Sequence, residues 1–337
     1  MNCYYSNFIE GSDTHPVDIE RALDNDLSKE PKKRDLQLEA KAHIEVQRWI
    51  DAGGFDGKNM SVEAILEIHR RFTDLLPDAM RWVENPDTGE KIPVVPGELR
   101  RRDAKVGTRI AISPGALPRF MQRFESRFSG LKDFEAILGV APAHHRLLFI
   151  HPFSDGNGRV TRLMSYATLY RTLDTGGLWS IACGLARSKS DYMQHLAACD
   201  HVRQGSRDGR GTLSEASLSA FTRYFLAICI DQTNFMSDLM QPKSLRDRIL
   251  KWAEEEISYG HLPAKASRVL DAILFRGSLP RADVAGVLDQ SDRSARATTM
   301  ALSQQGIIVA MGGQADWRLA FPAKLAPRIT PGLFPDR

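Results

Sequence analysis

Apolar residues recur at helical spacing along most of the chain and at alternating spacing in only two stretches. Leu36, Ala40, Ile44, Val46 and Ile50 fall on one helical face, Gly53-Gly54 stops that helix, and Ser61 stands where it can cap a second apolar run over 62–76. Between 82 and 112 the pattern shortens into KIPVV and VGTRIAI, broken by Asp87-Thr88-Gly89 and Pro96-Gly97, which predicts a small β-hairpin arm. Helical periodicity returns at 118–131, 134–150, 159–173, 190–204 and 213–240. The expectation is a mainly α chain, a helical bundle carrying one β arm.

After Pro242 a charged helix with Glu254, Glu255 and Glu256 leads to Gly260, and the pattern changes. Short helices are predicted at 265–276 and 280–288, a third follows Ser291 at 293–305, and IIVAMGG and DWRLAFP read as two strands around a Gly-Gly turn. Three helices and a hairpin are the order of a winged helix. The predicted layout is an N-terminal helical region (1–60), a helical core (61–241), a linker helix (242–261) and a winged-helix domain (262–337). Arg293, Arg296 and Thr299 are candidates for the exposed face of the 293–305 helix, which makes DNA a candidate partner. Asp283, Asp289 and Asp292 lie close to that face, so protein docking or a homodimer competes with DNA.

With 337 residues, 42% hydrophobic and 26% charged, composition is that of an ordinary globular protein of about two domains. No apolar run reaches membrane-spanning length, and the start, MNCYYSNFIEG, lacks the basic flank and apolar centre of a signal peptide. The expectation is a cytoplasmic protein with no membrane partner. Cys3, Cys183, Cys199 and Cys229 suit neither C-x-x-C metal spacing nor a disulfide framework, and are expected to be reduced and mostly buried. The net charge of +3 is uneven: residues 262–337 hold 10 Lys/Arg against 6 Asp/Glu. That excess is too small to establish nucleic-acid binding.

The densest chemistry lies in FIHPFSDGNGRVTRLM, residues 149–164. An apolar helix ends at His151-Pro152, and another begins near Arg159 across a loop containing Asp155, Gly156, Asn157 and Gly158. The glycines let the backbone approach a ligand closely, so that successive N–H groups point into one concavity at a helix N-terminus, an anion site. Arg159 and Arg162, three residues apart, share a face and can reach one polyphosphate. Asp155 can offer an oxygen to Mg²⁺ (or Mn²⁺) bound with substrate phosphates, and His151 can act as general base on a hydroxyl. Together they describe phosphoryl or nucleotidyl transfer.

These residues resemble the signature of the Fic-domain adenylyltransferases, H-x-F-x-[DE]-G-N-G-R-x-x-R, at every fixed position. Eight such positions arise by chance in a chain of this length with an expectation of about 10⁻⁸. The resemblance implies a Fic-type helical bundle with a β-hairpin flap, in which His151 deprotonates a Ser, Thr or Tyr hydroxyl of a target protein. The hydroxyl attacks the α-phosphate of ATP, and pyrophosphate leaves. It further implies that Asp155 holds the metal, that Gly156, Asn157 and Gly158 hold the α-phosphate, that Arg159 and Arg162 hold the β- and γ-phosphates, and that Phe153 anchors the loop. The segment Pro96-Gly97-Glu98-Leu99-Arg100 with 102–106 is similar to the flap on which relatives register a target strand. The 188–196 helix is similar to the one lining the adenine pocket, where Tyr192 is the candidate contact.

Ser6-Asn7-Phe8-Ile9-Glu10-Gly11 fits [ST]-x-x-x-E-[GN], an inhibitory helix pattern that one subgroup of this family carries ahead of its core. The expectation is that Ser6, Glu10 and Gly11 belong to such a helix, with Glu10 paired to Arg162 where the γ-phosphate would lie. Two other readings stay open: removal of AMP from a modified protein, and a DNA-binding regulator or toxin-type partner protein that uses the core to sense nucleotide.

Overall fold

A computed structural model describes every residue except Asp13, Pro86, Asp87, Thr108, Thr175, Met311, Gly313, Gln314 and 335–337. The expected turns at Asp87 and at the second glycine of Gly312-Gly313 lie outside the described residues. The chain divides into two compact units, Met1–Asn234 and Phe235–Arg337.

In the first unit, α1 (Asn2–Ile9), α2 (Pro16–Leu23) and α3 (Pro31–Trp49) precede α4 (Val62–Asp74), which Ser61 caps by accepting from the Ala64 N–H at 3.1 Å. The α3 helix ends in a wide turn over Ile50–Gly54, where Gly53 adopts φ 92° and the Trp49 ring leaves no room for a side chain at Gly54. Then come α5 (Leu117–Phe128), α6 (Asp133–Ile150), α7 (Asn157–Leu173), α8 (Ile181–Arg187), α9 (Lys189–Cys199) and α10 (Glu215–Leu239). The unit boundary falls inside α10.

Helix α7 packs against α4, α6 and α8, and nearly all of its side chains from Asn157 to Leu169 are buried. A helix buried on every side must satisfy its polar side chains internally. Ser165 and Thr168 do so by donating to the carbonyls of Thr161 and Met164, at 2.9 and 3.0 Å. Around it, Ile65, Ile68 and Phe72 of α4 and Val140, Ala143 and Leu147 of α6 complete the core.

Three expectations need correction in this unit. The helix predicted at 190–204 is α9, which begins at Lys189 and already ends at Cys199; the short α8 before it was not predicted, and the two are separated at Ser188, whose φ/ψ of −115°/40° is not helical. The single hairpin arm is two separate antiparallel ladders. In one, β1 (Trp82–Glu84) pairs with β2 (Lys91–Pro93); in the other, β3 (Lys105–Val106) pairs with β4 (Arg109–Ile110). Of the expected flap, 96–100 with 102–106, only Lys105 and Val106 lie in a strand; the polar groups of 97 and 100 are spent on the interior. The Gly97 N–H donates to His69, the Arg100 N–H to the Pro152 carbonyl, and the Arg100 guanidinium to the carbonyls of His151, Arg102 and Ile112. The sequence patterns also missed α2, whose Pro16 start and short length give weak periodicity.

The second unit holds α11 (Pro242–Ser258), α12 (Ala266–Arg276), α13 (Val284–Leu288), α14 (Asp292–Gln304), a two-stranded ladder of β5 (Ile308–Val309) with β6 (Arg318–Leu319), and α15 (Ala326–Ile329). Its core gathers Ile249, Trp252, Leu270, Ile273, Leu302 and Ile308. Ser291 caps α14, and Arg293 and Arg296 are exposed on it. Thr299 is not on the exposed face: it is buried, with its hydroxyl donating to the Ala295 carbonyl at 3.2 Å. Its position one turn beyond Ala295 places it on the core side of the helix.

All four cysteines are buried and free. Among the described residues, no helix is long and apolar enough to cross a membrane.

Candidate active site

His151 terminates α6 in the left-handed region, at φ 53°, and Gly156 opens α7 in the same region, at φ 77°. The intervening loop is braced from three directions. Arg100 donates to the His151 carbonyl at 2.8 Å and so holds the strained residue in place. His69 stacks on Phe153, ring centroids 3.8 Å apart and planes 1° from parallel, while its Nδ1 accepts from Gly97. Asn157 spans the loop itself: its carboxamide oxygen accepts from the Phe153 N–H at 3.0 Å and its nitrogen donates to the Phe153 carbonyl at 2.9 Å. Both polar atoms of the Asn157 side chain thus brace the loop, and its carboxamide keeps a second N–H beyond the one given to Phe153.

At that helix start the N-terminal helix supplies a carboxylate. Glu10, the residue that ends α1, pairs with Arg159 at 2.9 Å and with Arg162 at shorter range. The Ser6 hydroxyl accepts from the Arg162 Nε at 2.8 Å. A Cβ at Gly158 would come within 3.0 Å of both Glu10 and Arg162, so glycine is what lets the pair close over the loop. Helix α1 is pinned by Lys189, which donates to the Phe8 carbonyl at 3.0 Å, and by Asn7, which donates to Thr14 at 3.1 Å. Gly11, at φ 84°, turns the chain away just beyond Glu10. Arg159 has a second acid that sequence patterns gave no sign of: Glu39 of α3, at 2.8 Å. Burial raises the Glu39 carboxyl pKa, with Arg159 opposing the rise.

Tyr192, the expected adenine contact, is buried, 1% exposed, and completes a chain of hydrogen bonds behind Arg162. The direction of that chain follows from proton counting. Ser165 spends its only proton on the Thr161 carbonyl, so at 2.8 Å it must accept from the His144 Nδ1–H. Burial and the charge of Arg162 push His144 down to about 3, so the ring is neutral and Nε2 accepts from the Tyr192 hydroxyl at 2.7 Å. The Tyr192 oxygen is left to accept from Arg162, an interaction that lowers the Tyr192 pKa against the larger effect of burial, which pushes it up to about 12. The polar side-chain atoms of Ser165, His144 and Tyr192 thus all have partners.

The His151 imidazole is depressed to about 4, by burial first and then by the guanidinium groups of Arg100 and Arg109. It is neutral at pH 7 and able to accept a proton. Asp155 is exposed on the loop and pairs with no cation among the described residues. One exposed carboxylate beside an anion cradle fits Mg²⁺ or Mn²⁺ held jointly with phosphates. No group of three or more candidate metal ligands occurs among the described residues.

Residues 59–169, which contain α4 to α6, this loop and most of α7, match the Fic/DOC family profile. Over 173 residues the chain is 30% identical to protein adenylyltransferase Fic of Drosophila erecta, covering 51% of this chain and 32% of that protein. It is 29% identical over 288 residues to the Drosophila persimilis protein of the same name, covering 82% of this chain and 50% of that one. The chain thus spans a third to a half of the length of these curated relatives. A crystal structure of a Fic family protein from Desulfovibrio desulfuricans G20 shares the fold, with a TM-score of 0.53 at 17% identity over 95% of this chain and 85% of that one.

Two outcomes follow from the electrostatics. Tyr192→Phe should strand His144 Nε2 and one Arg162 N–H, costing about 1–3 kcal/mol in denaturant unfolding. Combined with His144→Leu the loss should be less than additive, and additive losses would separate the two residues. His69 and His151 titrate near 4 and His144 near 3 when folded, but near 6.5 when unfolded, so the unfolded chain binds more protons between these values. Stability should therefore be flat above about pH 6.5 and fall steadily as pH drops towards 4. Melting temperatures across that window check the sign.

Proposed function

We propose that this protein transfers AMP from ATP to a Ser, Thr or Tyr hydroxyl of another protein, and that Glu10 restrains it. The observation that carries this reading is the Glu10 carboxylate bridging Arg159 and Arg162 at the start of α7. Two guanidinium groups and a helix N-terminus form an anion site, and the chain fills it with its own anion. The relatives named protein adenylyltransferase support the choice of reaction.

In this reading the N–H groups of 156–158 receive the α-phosphate, and Arg162 with Arg159 receives the β- and γ-phosphates. His151 takes the proton of the incoming hydroxyl. The hydroxyl oxygen bonds to the α-phosphorus, the bond from that phosphorus to the bridging oxygen breaks, and pyrophosphate leaves. Asp155 would hold Mg²⁺ or Mn²⁺, which supplies neutralisation of phosphate charge when bound. Arg159 keeps Glu39 as a counter-charge when Glu10 is absent, whereas Arg162 has no second carboxylate among the described residues. Competition between Glu10 and the γ-phosphate is therefore sharpest at Arg162.

The second unit we read as a winged helix, from its order of α12, α13, α14 and the β5–β6 ladder. The exposure of Arg293 and Arg296 supports DNA as its partner.

A partly buried charge-assisted pair contributes about 1.5–3 kcal/mol, so removing Glu10 should raise the competent ATP complex by about 10- to 150-fold. Glu10→Gly with ATP labelled at the α-phosphate should strongly increase label on this protein or on lysate proteins, and label at the γ-phosphate should not transfer. His151→Ala or Arg162→Ala in that background should abolish transfer. Activity of Glu10→Gly no higher than wild type, or retained in the Arg162 double variant, would overturn the restraint. If the second unit holds DNA, Arg293→Ala with Arg296→Ala should flatten the salt dependence of retention by roughly one unit per lost phosphate contact.

A further inference from the structure

Helix α5 carries a charge pattern that the catalytic reading does not use. Arg119, Arg123 and Arg127 recur every four residues, all are exposed, and none pairs with a carboxylate among the described residues. Like charges at this spacing repel along a helix. Several other exposed arginines of this unit do pair with carboxylates: Arg70 with Glu67 and Asp74, Arg101 with Glu98, Arg102 with Glu90. Of the acids near the stripe, Glu125 accepts from the Val62 N–H, and Glu215, at the edge of the cavity beside the stripe, accepts from the Arg210 N–H.

Beside the stripe lies a cavity of about 370 Å³ walled by Phe120, Phe124, Phe128, Phe149 and Ile150, with the mostly buried guanidinium of Arg146 at its side. Arg146 donates to His145 Nδ1 at 3.2 Å. The volume is near the lower end of the roughly 300–1,000 Å³ range for ligand pockets, and suits one aromatic side chain. Phe149 and Ile150 form the last turn of α6, and His151 is the next residue.

We propose that the arginine stripe and the phenylalanine-lined cavity form a docking surface for an acidic segment of the protein whose hydroxyl is modified. Carboxylates of that segment meet Arg119, Arg123 and Arg127, and an aromatic residue between them enters the cavity. The proposal rests on the adenylyl-transfer reading for the identity of the partner. Uncompensated cations supply steering and selection by charge, and the cavity supplies a fixed register next to the base.

The test measures binding without nucleotide, so it stands or falls separately from transfer. A fluorescein-labelled peptide with one Phe flanked by three Glu on each side is titrated with the full chain, and anisotropy is followed at low and high salt. Binding is expected to weaken with salt, and by about tenfold or more for Arg119→Gln/Arg123→Gln/Arg127→Gln. Replacing the peptide Phe by Gly should weaken it similarly, and a Lys-flanked peptide should not bind. The substituted arginines are exposed, and an unchanged melting curve confirms that the variant folds. Absence of binding by the wild-type chain, or equal binding by the triple variant, overturns the proposal. Tighter binding of an oligothymidylate of equal charge also overturns it, and reassigns the stripe to nucleic acid.

Discussion

The arrangement of the first unit depends on where the charge of Arg162 goes. The guanidinium is 4% exposed, and a buried cation without partners would cost several kcal/mol. Three elements share the compensation. Helix α1 offers Glu10 and Ser6 from one side, and the Tyr192–His144–Ser165 chain offers an oxygen from the other. The arginine is therefore held from the core side by Tyr192 and neutralised from the other side by Glu10 of α1.

The loop between α6 and α7 shows the same division of labour. The direction of its backbone N–H groups depends on left-handed conformations at His151 and Gly156 that bracing holds. Asn157, His69 and Arg100 touch Phe153, the Phe153 ring and the His151 carbonyl respectively, and fix the shape without needing to contact a ligand. Preorganisation of this kind means the donors need not reorganise when charge develops. It also explains why the region read as a flap carries so little strand: Arg100 and Gly97 direct their hydrogen bonds inward, to the loop and to His69.

Electrostatics inside and outside the unit are treated differently. Buried histidines are held neutral; of the buried arginines, Arg159 and Arg162 are matched to carboxylates from distant parts of the chain, while Arg100 is held by backbone carbonyls. On the surface some arginines pair within four residues, while the three of α5 share one helix face and pair with no carboxylate among the described residues.

The helical periods, the Ser61 and Ser291 caps and the twelve residues from His151 to Arg162 were legible in the sequence because each depends on groups within a few residues of one another. Helix phase is set by i, i+3 and i+4 contacts, and an anion loop by the order of its glycines. The proximity of Glu10 and Arg162 was legible only through a short pattern; the sharing of the same carboxylate with Arg159 was not, since that depends on how α1 lies across α7. Glu39, His69 and the chain through His144 to Tyr192 carry no local signal. Their partners lie far along the chain, and only packing of α3, α4, α6 and α9 around α7 brings them together. Thr299 failed as a surface residue for a related reason: a threonine suits either face of a helix, and the core of the second unit chose the inner one. Spacing determined which residues could act together, and tertiary packing decided which buried polar groups found a partner, because desolvation leaves each of them only the neighbours that the fold supplies.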